Sequence, residues 1–275
     1  MIRIVEVGPR DGLQNIAQTI PTEVKVAYID ALSQTGVDEI EIASFVSPRW
    51  VPQMADGEEV CKQIKRNPNV TYMALVPNEK GLERAIEGKV DKIAVFTAAS
   101  ETFSQKNSNA TIAETLERFK PVIANAPMPT RGYVSTAFYC PYEGKINPQT
   151  VLPVIQNLLD LGCIEISIGD TIGKATPEEV RELLDLTLPV CPVEKLAMHF
   201  HDTFGNAILN ARAAREAGIT VFDSSASGIG GCPFAPGARG NVSTEALLDL
   251  FSEETEIDRN LVAEAGQIVA PYTGD

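Results

Sequence analysis

The chain has 275 residues, with 37 acidic against 23 basic side chains and a net charge of −14. No basic stripe is available to neutralise a phosphate backbone or to adhere to an anionic bilayer, which argues against nucleic-acid and membrane-surface partners. An anionic substrate would have to be held by a few local cations or by a metal ion, because the overall field repels it.

The N-terminal Met-Ile-Arg-Ile-Val-Glu-Val runs straight into a strand pattern with no basic or apolar leader, so a cytoplasmic protein is expected. No apolar stretch reaches the roughly 20 residues that span a bilayer. The cysteines Cys61, Cys140, Cys163, Cys191 and Cys232 are odd in number, widely spaced and without CxxC, which fits reduced thiols.

In chain order, eight β-branched runs alternate with amphipathic helical patterns, at 2–7, 39–43, 70–76, 92–97, 131–138, 163–168, 195–201 and 220–224. The first helical pattern opens at Pro21-Thr22 and ends near Gly36. Another opens at Asn147-Pro148, carries Val151, Val154, Ile155 and Leu158 on one face, and is closed by Gly162, the residue type favoured just past a last turn. Thr176-Pro-Glu-Glu179 is a capping box ahead of the stripe Val180, Leu183, Leu184 and Leu188. Such stripes pack on a sheet and carry no chemistry.

Eight βα units with no linker or second repeat predict a single α/β domain over 1–275, a (β/α)8 TIM barrel with its active site at the C-terminal face. A doubly wound sheet would want G-x-G-x-x-G after the first strand, and Gly8-Pro-Arg-Asp-Gly12 is not that pattern.

Functional residues should therefore lie just past the strands. The only two histidines of the chain form His199-Phe-His201 at the end of the seventh run. Residues i and i+2 share one face of a strand, so both imidazoles can reach one point. A hydrogen-bonded core pair is the bland alternative; metal ligation is the preferred reading. Asp11, past the first strand, and Asn241, past the eighth, come from neighbouring strands of a closed barrel and can add oxygen ligands. Two nitrogens and two oxygens suit Mg²⁺ or Mn²⁺, while nearby Cys232 keeps zinc open.

Arg10 beside Asp11 either forms a structural ion pair with Glu41 or stabilises an oxyanion with Glu41 orienting it. The segment from Gly228 to Asn241 contains five glycines and would make a mobile lid, with Cys232 as a proton-transferring thiol or a small buried hydrophobe.

The residues at these positions resemble the hydroxymethylglutaryl-CoA lyase family, within the larger group of barrel metallolyases. The resemblance runs through Val7-Gly-Pro-Arg-Asp-Gly-Leu-Gln-Asn15, Ala43-Ser-Phe-Val-Ser-Pro-Arg-Trp-Val-Pro-Gln-Met54, Arg131-Gly-Tyr-Val-Ser135, Cys140-Pro-Tyr-Glu-Gly-Lys145, Glu165-Ile-Ser-Ile-Gly-Asp-Thr-Ile-Gly173, His199-Phe-His-Asp-Thr-Phe-Gly205 and Gly230-Gly-Cys-Pro-Phe-Ala235. It implies Asp11, His199, His201 and Asn241 as ligands of a divalent metal, and catalytic roles for Arg10, Glu41, Asp170 and Cys232. Substrate contacts are expected from Arg10, Gln14, Ser44 and Tyr133. The implied reaction is retro-Claisen cleavage of 3-hydroxy-3-methylglutaryl-CoA to acetyl-CoA and acetoacetate, as in leucine degradation and ketone body formation.

A CoA thioester is thus the expected partner, with Arg49 and Lys106 in loops suited to its phosphates, and a homo-oligomer, a dimer, is the expected assembly. The alternatives are a related barrel acting on another 3-hydroxyacyl-CoA, a condensing acyl-CoA synthase, and a CoA-binding barrel without activity. A synthase of the group normally carries further C-terminal domains, and a binding module has no need of Arg10, Asp11, His199, His201 and Cys232 together.

Overall fold

The computed structural model describes residues 1–230 and 240–273. Eight parallel strands close into a barrel: β1 (Arg3–Glu6), β2 (Glu39–Ser44), β3 (Thr71–Leu75), β4 (Lys92–Ala98), β5 (Thr130–Ser135), β6 (Glu165–Asp170), β7 (Leu196–Phe200) and β8 (Val221–Ser224), with β1 bonded to both β2 and β8. The expected barrel is therefore present. Ten helices surround it among the described residues: α1 (Thr22–Leu32), α2 (Gly57–Gln63), α3 (Glu79–Glu87), α4 (Glu101–Ser108), α5 (Ile112–Asn125), α6 (Pro148–Asp160), α7 (Pro177–Thr187), α8 (Ala207–Glu216), α9 (Thr244–Leu250) and α10 (Arg259–Thr273). None of them is long and apolar enough to cross a membrane.

The start signals work as the residue types dictate. Thr176 and Glu179 form the predicted capping box, and Asn147 Oδ1 accepts from the Gln149 amide at 3.0 Å. One run was read too long: 131–138 stops as a strand at Ser135, because Thr136 turns the chain at φ 55° and the following residues enter a short ribbon of Tyr139–Cys140 against Gly144–Lys145.

Alternation along the strands sorts their residues into two environments. Ile4, Ile40, Ile93, Val134, Ile168 and Met198 face the helices in the main core. Val5, Met73, Leu75, Ala94, Tyr133, Ala197 and Val221 form a second cluster inside the barrel. The end of the barrel opposite the site is closed by charge: Lys92 Nζ lies 2.9 Å from Glu39 and 3.1 Å from Glu165, Arg3 pairs with both carboxylates, and Arg131 Nε lies 3.0 Å from Glu165.

Glu6 is fully buried on the helix-facing side of β1, accepting from Thr244 Oγ1 at 2.7 Å and the Gly8 amide at 2.9 Å. Burial outweighs those donors and lifts its pKa from 4.5 to about 7. The folded state therefore binds the proton more tightly than the unfolded chain. This contribution is fully present below pH 4.5 and lost as the pH rises through about 7, at most about 3 kcal/mol. Glu6→Gln is expected to remove that loss, seen as a urea midpoint that no longer falls across the window; an identical fall in the variant would assign the effect elsewhere.

Candidate active site

The site is built at the C-terminal mouth, where the strands deliver it. Beyond β1 the amides of Arg10, Asp11 and Gly12 all converge on the Val7 carbonyl, at 3.2, 2.7 and 3.2 Å. This wide turn sends the Arg10 side chain across the mouth. There its Nε and Nη2 lie 2.7 and 2.5 Å from Glu41 Oε2, and its Nη1 donates to Asp11 Oδ1 at 2.7 Å. The pairing of β2 with β3 shifts register between Glu41 and Ala43, an irregularity of the kind that re-aims a side chain beside a site. Tyr133 from β5 closes the set, donating its hydroxyl to Glu41 Oε2 at 3.2 Å with its ring 5.6 Å from the Arg10 guanidinium.

Asp11, His199 and His201 come together as expected, each offering a ligand atom within 4.8 Å of the others. The two imidazole centroids are 5.2 Å apart. Asn241 joins them through a backbone bridge to His201 and donates its Nδ2 to Asp11 Oδ2 at 3.0 Å. Close packing demands glycine nearby: Gly230 has φ 131°, and a Cβ there would lie 2.8 Å from Asn241 Nδ2. Gly173, at φ 69°, likewise lets the loop after β6 pass beneath the His201 carbonyl.

The electrostatics follow from burial and neighbours. Burial opposes ionisation of Asp11, but Arg10 and then the two histidines outweigh it and hold its carboxyl far below the ordinary range. Burial, helped by His199, pushes His201 down to about 4, so its ring is neutral at physiological pH. Burial also works against the charged form of His199, yet the hydrogen bond to Asp223 and the charges of Asp11 and Asp223 raise it overall.

Two buried polar atoms in this cluster, Asn241 Oδ1 and His201 Nδ1, have no hydrogen-bond partner among the described residues. Buried polar atoms are rarely left so, and lone pairs beside an ionised carboxylate are what a hard or borderline divalent cation takes up. The residues present therefore fit a divalent metal. Below the His199 pKa, binding one should displace a single proton, that of His199. Affinity for Mn²⁺, followed by electron paramagnetic resonance, is expected to weaken about tenfold per pH unit on the acid side of the His199 pKa; a hundredfold slope would mean that His201 also must deprotonate.

Other expected residues fall less simply. Asp170 is buried at the end of β6, and burial lifts it to about 6. Its two oxygens accept from the Lys174 and Ala175 amides at 3.1 and 2.9 Å, so it braces the following turn. Ser44 is buried at the end of β2 and its Oγ accepts from the Val46 amide at 3.4 Å; Gln14 is half-buried beyond the Arg10 turn. Arg49 and Lys106 are exposed in the segments after β2 and β4, with Lys106 Nζ 4.6 Å from the Tyr142 ring centroid. Cys232, and with it most of the expected lid, lies outside the described residues. Sequence reasoning missed Asp223, Ser167 and Arg131 beneath the histidines. Their signal was a charged or hydroxyl side chain in the middle of an otherwise apolar strand, as in Val221-Phe-Asp-Ser224.

A closed (β/α)8 barrel with an Asp-His-His cluster and a buried arginine fork at its C-terminal mouth defines a barrel enzyme with a candidate divalent-metal centre. The HMGL-like family model matches residues 1–264. The chain belongs to the HMGL-like family. It is 50% identical over 98% of its length, and 82% of the relative's, to the "3-hydroxy-3-methylglutaryl-CoA lyase, cytoplasmic" of Danio rerio. It superposes with a TM-score of 0.97 and 48% identity on the HMG-CoA lyase of Brucella melitensis, covering 100% of this chain and 99% of that one. An Acinetobacter baumannii HMG-CoA lyase solved with coenzyme A and 3-methylmalate matches at 0.94 and 36% identity, covering 100% and 92%.

Proposed function

We propose that this chain is a divalent-metal-dependent hydroxymethylglutaryl-CoA lyase, cleaving 3-hydroxy-3-methylglutaryl-CoA to acetyl-CoA and acetoacetate. The observation that carries the reading is the convergence of Asp11, His199 and His201 beside the Arg10 fork at the catalytic mouth of a barrel of this family. The Acinetobacter relative's complex with coenzyme A supports a CoA thioester as substrate. The zebrafish relative is named as cytoplasmic, which supports the same compartment here.

Cleavage removes the proton of the 3-hydroxyl, breaks the C2–C3 bond, turns C3 into the ketone of acetoacetate and leaves C2 as a thioester enolate that must gain a proton. A divalent ion, Mg²⁺ or Mn²⁺ for this donor set, would be held by Asp11, His199, His201 and Asn241 and would supply Lewis-acid polarisation of the substrate oxygens. Arg10 is a fixed, desolvated positive charge whose planar fork can face the enolate oxygen. Glu41 orients that fork through Oε2, while its Oε1 is buried without a partner. Burial raises the Glu41 carboxyl, so Oε1 is suited to accept a hydrogen bond or a proton from the substrate. Asp170 keeps the turn after β6 in place under the site. Cys232, assigned from the sequence resemblance, would return the proton to C2.

The test is a product assay. 3-Hydroxy-3-methylglutaryl-CoA should give acetoacetate and acetyl-CoA in equal amounts, with simple 3-hydroxyacyl thioesters turned over far more slowly. Condensation of acetyl-CoA with a 2-oxo acid in place of cleavage would identify a synthase and overturn the proposal.

A further inference from the structure

Below the two histidines lies Asp223, a fully buried carboxylate on β8. It stands opposite His199 as its direct cross-strand partner. Three neighbours reach it: Arg131 Nη2 donates to Oδ1 at 2.6 Å, Ser167 Oγ donates to Oδ2 at 2.8 Å, and His199 Nδ1 lies 3.3 Å from the same Oδ2. An Arg131–Asp223 pair alone would satisfy the demand for a buried charge to be compensated. It does not account for Oδ2 being turned to a ring nitrogen of a residue in the site.

The chemistry of the contact restricts the ring. A carboxylate paired with an arginine is an acceptor only, so Nδ1 can approach Oδ2 favourably only if it carries the hydrogen. In the neutral ring the lone pair is then on Nε2. His201 has no such arrangement, its Nδ1 being buried without a partner. Outer partners of this type set the tautomer and orientation of metal-bound histidines generally.

We propose that Asp223 is a positioning residue. Held charged by Arg131 and oriented by Ser167, it locks His199 as the Nδ1–H tautomer and directs the Nε2 lone pair to the point where Asp11 and His201 converge. The second half of this statement rests on the cation reading of that site. The first half does not.

The chain contains two histidines, so ring-nitrogen NMR of the metal-free protein at alkaline pH is simple to assign, with His201→Ala separating the signals. Wild-type His199 is expected to carry its hydrogen on Nδ1. In Asp223→Asn the amide oxygen must face Arg131, which leaves the NH2 donating to Nδ1 and moves the ring hydrogen to Nε2. Mn²⁺ affinity measured by electron paramagnetic resonance should fall about 10–100-fold in that variant. A wild-type ring with its hydrogen on Nε2 overturns the proposal, and this measurement stands even if Asp223→Asn does not fold. So does an Asp223→Asn protein with the wild-type tautomer and wild-type Mn²⁺ affinity. A wild type that shows the Nδ1–H tautomer yet binds no Mn²⁺ overturns instead the cation reading and the aim assigned to Nε2.

Discussion

Replacing Arg10 by lysine is expected to lower kcat by about 10²–10³-fold, the scale of losing one preorganised donor to an oxyanion. The guanidinium meets Glu41 through Nε and Nη2 and Asp11 through Nη1, with Tyr133 alongside. An ammonium has one nitrogen and no plane, so it can satisfy one of these carboxylates while leaving the direction toward the substrate empty. Because lysine conserves the charge, the fold should survive with modest loss of stability. Arg10→Met is the instructive contrast, since it leaves Glu41 and Asp11 without their counter-ion, a defect worth about 3–5 kcal/mol when a buried pair is broken. KM should move less than kcat, because the demand for positive charge grows as the enolate forms. Steady-state kinetics with a melting curve decide the matter: a lysine variant within threefold of wild type would reduce Arg10 to a structural ion pair.

The second large effect is expected from His201→Ala. Its ring is buried and its Nδ1 makes no hydrogen bond, so removing it breaks no polar contact there. If His201 were an ordinary core histidine, the variant would bind cations as before. If it is a ligand, Mn²⁺ affinity should fall by at least about 10²-fold and turnover should be lost with it, whatever the lost packing costs the metal-free fold. Asp11→Asn is a less clean probe, because it also removes a partner of Arg10. Calorimetric titration with Mn²⁺ beside thermal unfolding without it separates the two cases.

Much of this was legible in the residues, and what was missed has physical causes. Short β-branched runs between helical patterns located all eight strands, and the two-residue spacing of His199 and His201 gave a shared face without further information. The overrun past Ser135 arose because Thr136 adopts a left-handed turn that threonine rarely takes, a conformation with no sequence mark. Arg131, Glu165, Lys92 and Glu39 are visible as charges inside strands, but their mutual pairing depends on how the sheet closes on itself. Asp223 escaped for the same reason: its link to His199 comes from the register of β8 on β7. Asp170 was expected just past a strand and instead ends β6, and the turn amides that occupy its oxygens could not be seen.

The Asp11, His199, His201 and Asn241 side chains are proposed to surround one divalent ion on which carbon–carbon cleavage of the thioester substrate depends. The direct measurement strips the protein exhaustively with a chelator and titrates Mn²⁺ back while acetoacetate release from 3-hydroxy-3-methylglutaryl-CoA is followed. Activity should be absent at the start and should saturate at one ion bound per chain. Undiminished acetoacetate production by the stripped protein would contradict the account.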